Sequence, residues 1–188
     1  MEEDIEAAEQ RRAEIAAEED RIQKEINAAV AELQRQQELE RQRRAAQNKG
    51  SSGSSGGSGG GGGWASGTGQ LMWPTSGSVS SHYGPRNGRT HQGVDISAPH
   101  GTSIVAADSG TVVTSTYAGG YGNYIVIAHG NGMTTLYAHM SSRAVGVGAS
   151  VSKGQYIGSV GSTGNSTGPH LHFEVSVNGS RVNPLNML

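Results

Sequence analysis

Hydrophobic and polar residues alternate in short runs throughout the C-terminal part of the chain. In four runs rich in Val, Ile, Thr and Tyr, apolar and polar residues alternate at least in part, which is typical of β-strands. They cover residues 110–117, 123–130, 133–140 and 170–177. Asn131-Gly132 separates the second and third runs and predicts a tight hairpin turn. Residues 145–164 carry closely spaced glycines without a helical period. The pattern predicts an antiparallel β-fold, either a sandwich or a small barrel-like sheet.

Apolar residues in the N-terminal part of the chain follow a helical spacing instead. Residues 2–48 contain neither Pro nor Gly and are rich in Ala, Glu, Gln and Arg, which predicts one long helix. Apolar residues at 3-4 spacing would form a single stripe on it: Ile5, Ala8, Ile15, Ile22, Ile26, Ala29 and Leu33. Polar residues interrupt the same register: Arg12, Glu19, Gln36 and Glu40. Two interpretations stay open, a coiled coil used for self-association, spacing or restraint, and a solvated helix that associates weakly.

Composition divides the chain into three segments. Residues 50–69 are almost wholly Gly and Ser, apart from Trp64, and predict a flexible tether. We therefore predict a helical segment over residues 1–49, a Gly/Ser-rich linker over 50–70 and one globular domain over 71–188. The domain's length is usual for a single hydrophobic core.

Charge and cysteine content exclude several function classes. Residues 2–49 carry thirteen acidic and nine basic side chains, and the remainder carries three and five. Neither part has the basic stripe of a nucleic-acid-binding protein. The chain contains no run of about twenty apolar residues, so the sequence predicts no membrane span. The opening MEEDIEAAEQRR does not resemble a signal peptide. Cysteine is absent, which excludes thiol catalysis, disulfides and thiolate metal sites.

The stretch GPHLHFEV, residues 168–175, concentrates polar chemistry in a predicted strand. Alternate side chains of a strand share a face, so His170, His172 and Glu174 should lie opposite the apolar residues between them. The two histidines would be roughly 7 Å apart, at a rise of ~3.3 Å per residue. That separation suits one imidazole that binds a metal and another that acts on the metal's water or on substrate.

A second cluster, HQGVD, supplies two more ligand types. The glycine and β-branched residues around His91 and Asp95 favour a loop that enters a strand, where both side chains could converge on one ion. With His172 they make three N/O ligands, and catalytic zinc sites take three protein ligands and leave a fourth position for water. His139, in LYAHM, and His170 are then two imidazoles available for proton transfer during hydrolysis. The other three histidines are predicted to be surface residues: His82, His100 and His129.

Residues 71–188 resemble the LytM/lysostaphin family of zinc metallopeptidases, which cut peptide bonds in bacterial peptidoglycan. The resemblance runs through HQGVDISAPHGTSIVAADSGTVV, GYGNYIVIAHGNGMTTLYAHM and the stretch that contains GPHLHFEVSVNG. It implies a mainly β, antiparallel LytM-type peptidase domain with its site in a narrow groove. It also implies zinc on His91, Asp95 and His172, with His139 and His170 as the catalytic pair that polarises water and stabilises the tetrahedral intermediate.

The same resemblance suggests where substrate would bind. Tyr83 lies near the position at which family members place a tyrosine beside the scissile bond, although a packed aromatic is the alternative. Asn123 and Arg86 could contact the peptide, or could serve only in turns.

The function implied by the resemblance is zinc-dependent hydrolysis of peptide cross-links or stem peptides of peptidoglycan. The bond stays open between D-Ala–diaminopimelate cross-links and glycine bridges. Some relatives have lost ligands and activate other wall hydrolases, so the alternative is a non-catalytic or autoinhibited wall-binding regulator. All the ligand positions are filled here, which favours the enzyme. The substrate implies a secreted or cell-envelope protein.

Overall fold

The computed structural model describes residues 2–48, 67–86 and 89–188. The predicted Gly/Ser linker falls almost entirely outside the described residues, and so does Trp64. Helix α1 spans Glu2–Asn48, and a short 3-10 helix spans Pro184–Asn186. The strands are β1 Ser78–Ser81, β2 Gly84–Arg86, β3 Arg89–His91, β4 Val94–Ser97, β5 Ser103–Val105, β6 Gly110–Ala118, β7 Gly122–Gly130, β8 Met133–Arg143, β9 Ser150–Val151, β10 Tyr156–Val160, β11 His170–Val177 and β12 Ser180–Val182.

Ten of these strands form one antiparallel sheet. Its main path is β1-β4-β11-β8-β7-β6-β9, while β10 pairs with β5 and β8, and β12 pairs with β11. β2 and β3 form a separate two-stranded ribbon. The prediction of a mainly β, antiparallel fold after an N-terminal helix is confirmed. The four predicted runs become β6, β7, β8 and β11.

The predicted hairpin joins β7 to β8. Asn131 and Gly132 have φ values of 50° and 74°. Positive φ at both central residues is what a type I′ turn requires, and Asn-Gly adopts it at low cost.

Strand β11 separates the core from the polar site. Leu171, Phe173 and Val175 are fully buried in the main apolar cluster. The alternate residues point to the other face, as predicted from the period of two. β11 lies between β4 and β8, with His172 opposite Asp95 on one side and opposite Ala138 on the other. Three neighbouring strands therefore bring their polar side chains to one place.

Helix α1 packs against the sheet rather than standing apart from it. Ile22 and Ile26 are 5% and 3% exposed and lie in a cluster with Tyr121, Tyr124 and Leu136. The middle of the apolar stripe, at Ile22 and Ile26, is thus covered by the chain's own strands. Self-association through a coiled coil stays a prediction.

A carboxylate of α1 also binds the turn between β6 and β7. Glu18 accepts hydrogen bonds from the backbone N–H groups of Gly119, at 2.9 Å, and Gly120, at 3.1 Å. Within the described residues, no helix has both the length and the apolar character needed to cross a membrane.

The surface prediction was right for two of the three remaining histidines and wrong for the third. His82 and His100 are exposed. His129 is 2% exposed because residues 67–69 cross over β7, and Gly67 N–H donates to the His129 carbonyl. Its ring is satisfied inside the protein, with Nδ1 2.8 Å from the Ser109 carbonyl oxygen and Nε2 2.7 Å from Thr135 Oγ1.

Candidate metal centre and active site

Three side chains from three strands converge at the centre of the polar face. His91 ends β3, Asp95 lies in β4 and His172 lies in β11. All three are buried, at 6%, 9% and 7% exposure. The turn between β3 and β4 brings His91 back over Asp95, as the loop-into-strand prediction expected.

The ligand atoms of these residues form a small triangle. His91 Nε2 lies 3.1 Å from Asp95 Oδ1 and 3.1 Å from His172 Nδ1. His172 Nδ1 lies 2.8 Å from Asp95 Oδ1. Tetrahedral zinc with bonds of ~2.0–2.1 Å would hold its ligand atoms about 3.3 Å apart. Two nitrogens and one oxygen at these separations fit zinc, and the three residues are a possible metal site.

Each histidine in the triangle has its other nitrogen held by a group that can only accept a hydrogen bond. His91 Nδ1 donates to the His82 carbonyl oxygen at 2.9 Å, and His172 Nε2 donates to Glu174 Oε1 at 3.0 Å. The lone pairs of His91 Nε2 and His172 Nδ1 are therefore free to face a metal, which is the usual arrangement around ligating histidines.

Electrostatics prepare the triangle for a cation. Burial alone would raise the pKa of Asp95, but hydrogen bonds from His172 and His91 outweigh it and hold that pKa well below its usual range. Burial lowers the pKa of His172, yet Asp95 and Glu174 together raise it to about 9. A metal ion would therefore replace a proton that the metal-free site holds.

The predicted catalytic pair lies beside the triangle. The rings of His139 and His170 are 4.7 Å apart, centroid to centroid. His139 Nδ1 donates to the Thr163 carbonyl oxygen, and His170 Nδ1 donates to the Gly168 carbonyl oxygen, both at 2.8 Å. Each bond fixes a proton on Nδ1, which leaves Nε2 of each ring to face the groove. Burial, reinforced by the charge of His172, lowers the pKa of His139 to about 4, so this ring is neutral at pH 7.

The backbone at His139 adopts a costly conformation. Its φ of 60° lies in the left-handed region, which a non-glycine residue enters at a cost of about 1–3 kcal/mol. Its N–H donates to the Tyr121 carbonyl oxygen at 2.8 Å, and its ring donates to Thr163. Packing of β8 against these two segments maintains the conformation and aims the imidazole at the groove.

A groove of about 220 Å³ runs over the site. Besides the four predicted site histidines and Asp95, its lining includes Arg86 and, from α1, Ile15 and Glu19. Arg86 Nη1 lies 3.5 Å from Asp95 Oδ2 and donates a hydrogen bond to Ser81 Oγ. Arg86 thus lines the groove, and its contact with a peptide stays a prediction.

Two predicted substrate contacts do not come to the groove. Tyr83 is half-buried, and its hydroxyl donates to the Arg181 carbonyl oxygen at 3.3 Å. The side-chain amide of Asn123 donates to the Met140 carbonyl oxygen at 3.1 Å. Their contact with a peptide stays a prediction.

Sequence reasoning put Glu174 on the face of the two histidines but missed its burial and its partners from other parts of the sheet. Glu174 shares the face of His170 and His172, and it binds Tyr121 and Arg181. The period of two after the histidines was a usable signal for Glu174. No local pattern signals the other two, because Tyr121 and Arg181 arrive from the β6–β7 turn and from β12.

The sequence model of Peptidase family M23 matches residues 89–184, just over half of the 188 residues. DD-carboxypeptidase/endopeptidase Mpg of Neisseria meningitidis is 48% identical over 99 residues, which are 53% of this chain and 23% of Mpg. Peptidoglycan DD-endopeptidase ShyC of Vibrio cholerae is 45% identical over 113 residues, 56% of this chain and 26% of ShyC. The chain spans about a quarter of the length of these curated relatives.

A solved structure matches the same region. The catalytic domain of the antimicrobial peptidase lysostaphin from Staphylococcus simulans superposes with a TM-score of 0.54 and 38% identity. The match covers 57% of this chain and 88% of that domain.

Proposed function

We propose, from the premise that the chain belongs to peptidase family M23, that it is a zinc-dependent endopeptidase acting on peptidoglycan. It hydrolyses peptide bonds in the cross-links or stem peptides of the bacterial wall. One observation carries the proposal: three buried N/O ligand atoms form a triangle 2.8–3.1 Å on a side, with the imidazoles of His139 and His170 beside it.

The chain's own residues fit the chemistry of peptide hydrolysis. His91, Asp95 and His172 would hold zinc, which supplies a Lewis acid and lowers the pKa of water to about 7. The Nε2 lone pair of His139 accepts the water's proton, since Thr163 keeps the ring's other proton on Nδ1. His170 lies next to it with Nδ1–H likewise held by the Gly168 carbonyl oxygen. Once protonated on Nε2, its ring would donate to the carbonyl oxygen or to the leaving amine.

The groove suits a narrow, extended peptide. Its small volume, and the small residues Gly120, Ser166 and Thr167 among its lining, favour small residues on both sides of the cut bond. D-alanine and glycine both satisfy that limit. The names of Mpg and ShyC contain the term endopeptidase with the prefix DD, which supports the D-Ala–diaminopimelate cross-link over the glycine bridge.

The substrate also bears on where the protein works. Peptidoglycan lies outside the cytoplasmic membrane, and the proposal therefore includes a location in the cell envelope or in the secreted fraction. The N-terminal helix would space the catalytic part from an attachment point or pair with another helix.

The experiment is digestion of two purified sacculi, one directly cross-linked and one glycine-bridged, with products identified by mass spectrometry. The wild-type chain should release peptides from one of them, and His172→Ala or prior chelation should abolish release. His100→Ala is the matched control, because it removes an exposed histidine outside the groove and should cut normally. Equal cleavage by His172→Ala and His100→Ala would refute the proposal.

A second candidate, an enzyme restrained by its own helix, is favoured by one observation. Ile15 and Glu19 of α1 line the same groove as the predicted ligands. If α1 restricts entry, the double substitution Ile22→Ala with Ile26→Ala should raise the initial rate of sacculus digestion. A rate at or below wild type, with zinc binding unchanged, would exclude restraint by the helix.

A further inference from the structure

Residues 50–188 contain only three acidic side chains, Asp95, Asp108 and Glu174. All three are buried, at 9%, 0% and 2% exposure. Asp95 belongs to the ligand triangle. Asp108 accepts backbone N–H hydrogen bonds from Thr68, Gly69 and Ser109 and so anchors the segment that enters the sheet. Glu174 neither belongs to the triangle nor anchors that segment. A buried carboxylate costs free energy unless it is paired and hydrogen-bonded.

The two oxygens of Glu174 have different partners. Oε1 accepts from His172 Nε2 at 3.0 Å and from the Tyr121 hydroxyl at 2.7 Å. Oε2 accepts from Arg181 Nε at 2.8 Å. Arg181 also donates to the Tyr121 hydroxyl at 3.1 Å, which closes a buried ring of hydrogen bonds. One oxygen is therefore directed at a predicted metal ligand, while the other is neutralised from the far side.

We propose that Glu174 is a positioning residue for the proposed zinc site, which holds His172 in the tautomer and ring orientation that present Nδ1 to the metal. The proposal rests on the proposed function, since it needs that site to bind zinc. Rotating the ring by half a turn would replace Nδ1 with a carbon in the triangle. It would also leave a carboxylate oxygen without its ring donor in a buried place, which is unfavourable.

The two ligating histidines differ in how they are held. His91 donates its second N–H to a backbone carbonyl, and His172 donates to a full carboxylate. A charged acceptor makes the stronger hydrogen bond and increases the basicity of the ring more. His172 is thus expected to be the strongest nitrogen donor of the triangle, and Glu174 is the reason.

A purely structural reading makes Glu174 the partner of Arg181 in a buried ion pair that fastens β12 to β11. The two roles separate by what they predict: loss of the Arg181 ion pair alone would lower stability, whereas loss of the bond to His172 would lower zinc affinity. Glu174→Gln removes the charge behind His172 with little change in shape. Tyr121→Phe removes a different hydrogen bond to the same oxygen, Oε1, and keeps the carboxylate with its bonds to His172 and Arg181.

The test measures zinc affinity of the full chain by competition with a chromophoric chelator. Glu174→Gln should weaken zinc binding by about 10–100-fold, as loss of such outer partners does, and should alter the visible absorption of the Co²⁺-substituted site. Tyr121→Phe should not weaken zinc binding. Urea unfolding of both metal-free variants shows whether any change in affinity merely follows lost stability.

Three results would overturn the positioning role. The first is that Glu174→Gln binds zinc as tightly as wild type. The second is that Glu174→Gln and Tyr121→Phe lose zinc affinity by the same factor. The third is that the loss of affinity is proportional to the loss of unfolding free energy. If Glu174→Gln does not fold, NMR of the zinc-loaded wild-type chain decides instead. A slowly exchanging proton on His172 Nε2 supports the role, and its absence refutes it.

Failure of this role and failure of the proposed function look different. If the wild-type chain binds no zinc, both the positioning role and the proposed function are refuted. A chain that binds zinc but cuts no wall, with the affinity loss present in Glu174→Gln, removes only the proposed function. Unchanged affinity in Glu174→Gln with normal cleavage removes only the positioning role.

Discussion

Substituting Gly122 by alanine should damage both the stability and the activity of this protein, for reasons visible in the backbone. Gly122 has a φ of 65°, and a Cβ built on it would lie less than 3.0 Å from three atoms of Thr163. Thr163 is the residue whose carbonyl oxygen holds His139 Nδ1. The close approach of these two segments therefore fixes a predicted catalytic histidine.

The magnitude follows from two contributions. A left-handed φ costs a non-glycine residue about 1–2 kcal/mol, and forcing extra atoms into a packed place costs about 1–3 kcal/mol. Gly148 provides the matched control, because its φ is 85° and a Cβ there meets nothing within 4 Å. Gly148→Ala carries only the first contribution, partly offset by about 0.4–1 kcal/mol from the unfolded chain.

The assay is urea unfolding followed by circular dichroism. Gly122→Ala should unfold with a free energy about 1–3 kcal/mol lower than Gly148→Ala, which at m values of about 1–3 kcal/mol/M separates the midpoints by roughly 0.3–3 M. The kcat for wall hydrolysis should fall in Gly122→Ala and not in Gly148→Ala. Coincident midpoints for the two variants would refute the reasoning that the contact with Thr163 is tight.

Four further predictions concern the site, the helix and the core. Carboxylates beside His172 raise its pKa to about 9, so zinc must displace its proton; apparent zinc affinity, measured by calorimetry, should rise about tenfold per pH unit from neutral pH to about pH 9 and then level. His139→Ala should lower kcat by about 10²–10⁴ while one zinc per chain still binds, as metal analysis can check. Ile22→Ala with Ile26→Ala should release α1 from the sheet, since truncating a buried isoleucine costs about 2–5 kcal/mol, and hydrogen exchange should then show lost protection in the β6–β7 turn. Burial lowers the pKa of His129, so the unfolded chain binds a proton there that the folded chain does not; the free energy of unfolding should fall as pH drops below 6.5, and His129→Gln should remove that part of the dependence.

The strands could be predicted because their signals are local. The runs that become β6, β7, β8 and β11 carry β-branched residues, partial alternation and one Asn-Gly turn. These features act over a few residues and do not depend on the rest of the fold. The approach of His91, Asp95 and His172 could also be anticipated, from the types of residue and from the strand that places His172 beside His170.

The parts that could not be predicted depend on distant packing. The position of His129 between the sheet and residues 67–69 is set by a segment sixty residues away in the chain. The docking of Ile22 and Ile26 depends on a partner surface that no helical period identifies. Glu174 reads locally as one more residue of a strand, and its role emerges only when Arg181 reaches it from β12.

The most direct test of the account is a zinc titration of the metal-depleted chain, with release of peptides from directly cross-linked sacculi as the readout. Activity should be absent without metal, rise in proportion to added zinc and level at one ion per chain, while His172→Ala stays inactive throughout. Full hydrolysis by the metal-depleted chain, or a zinc-independent rate, would contradict the claim that His91, Asp95 and His172 hold the ion on which catalysis depends.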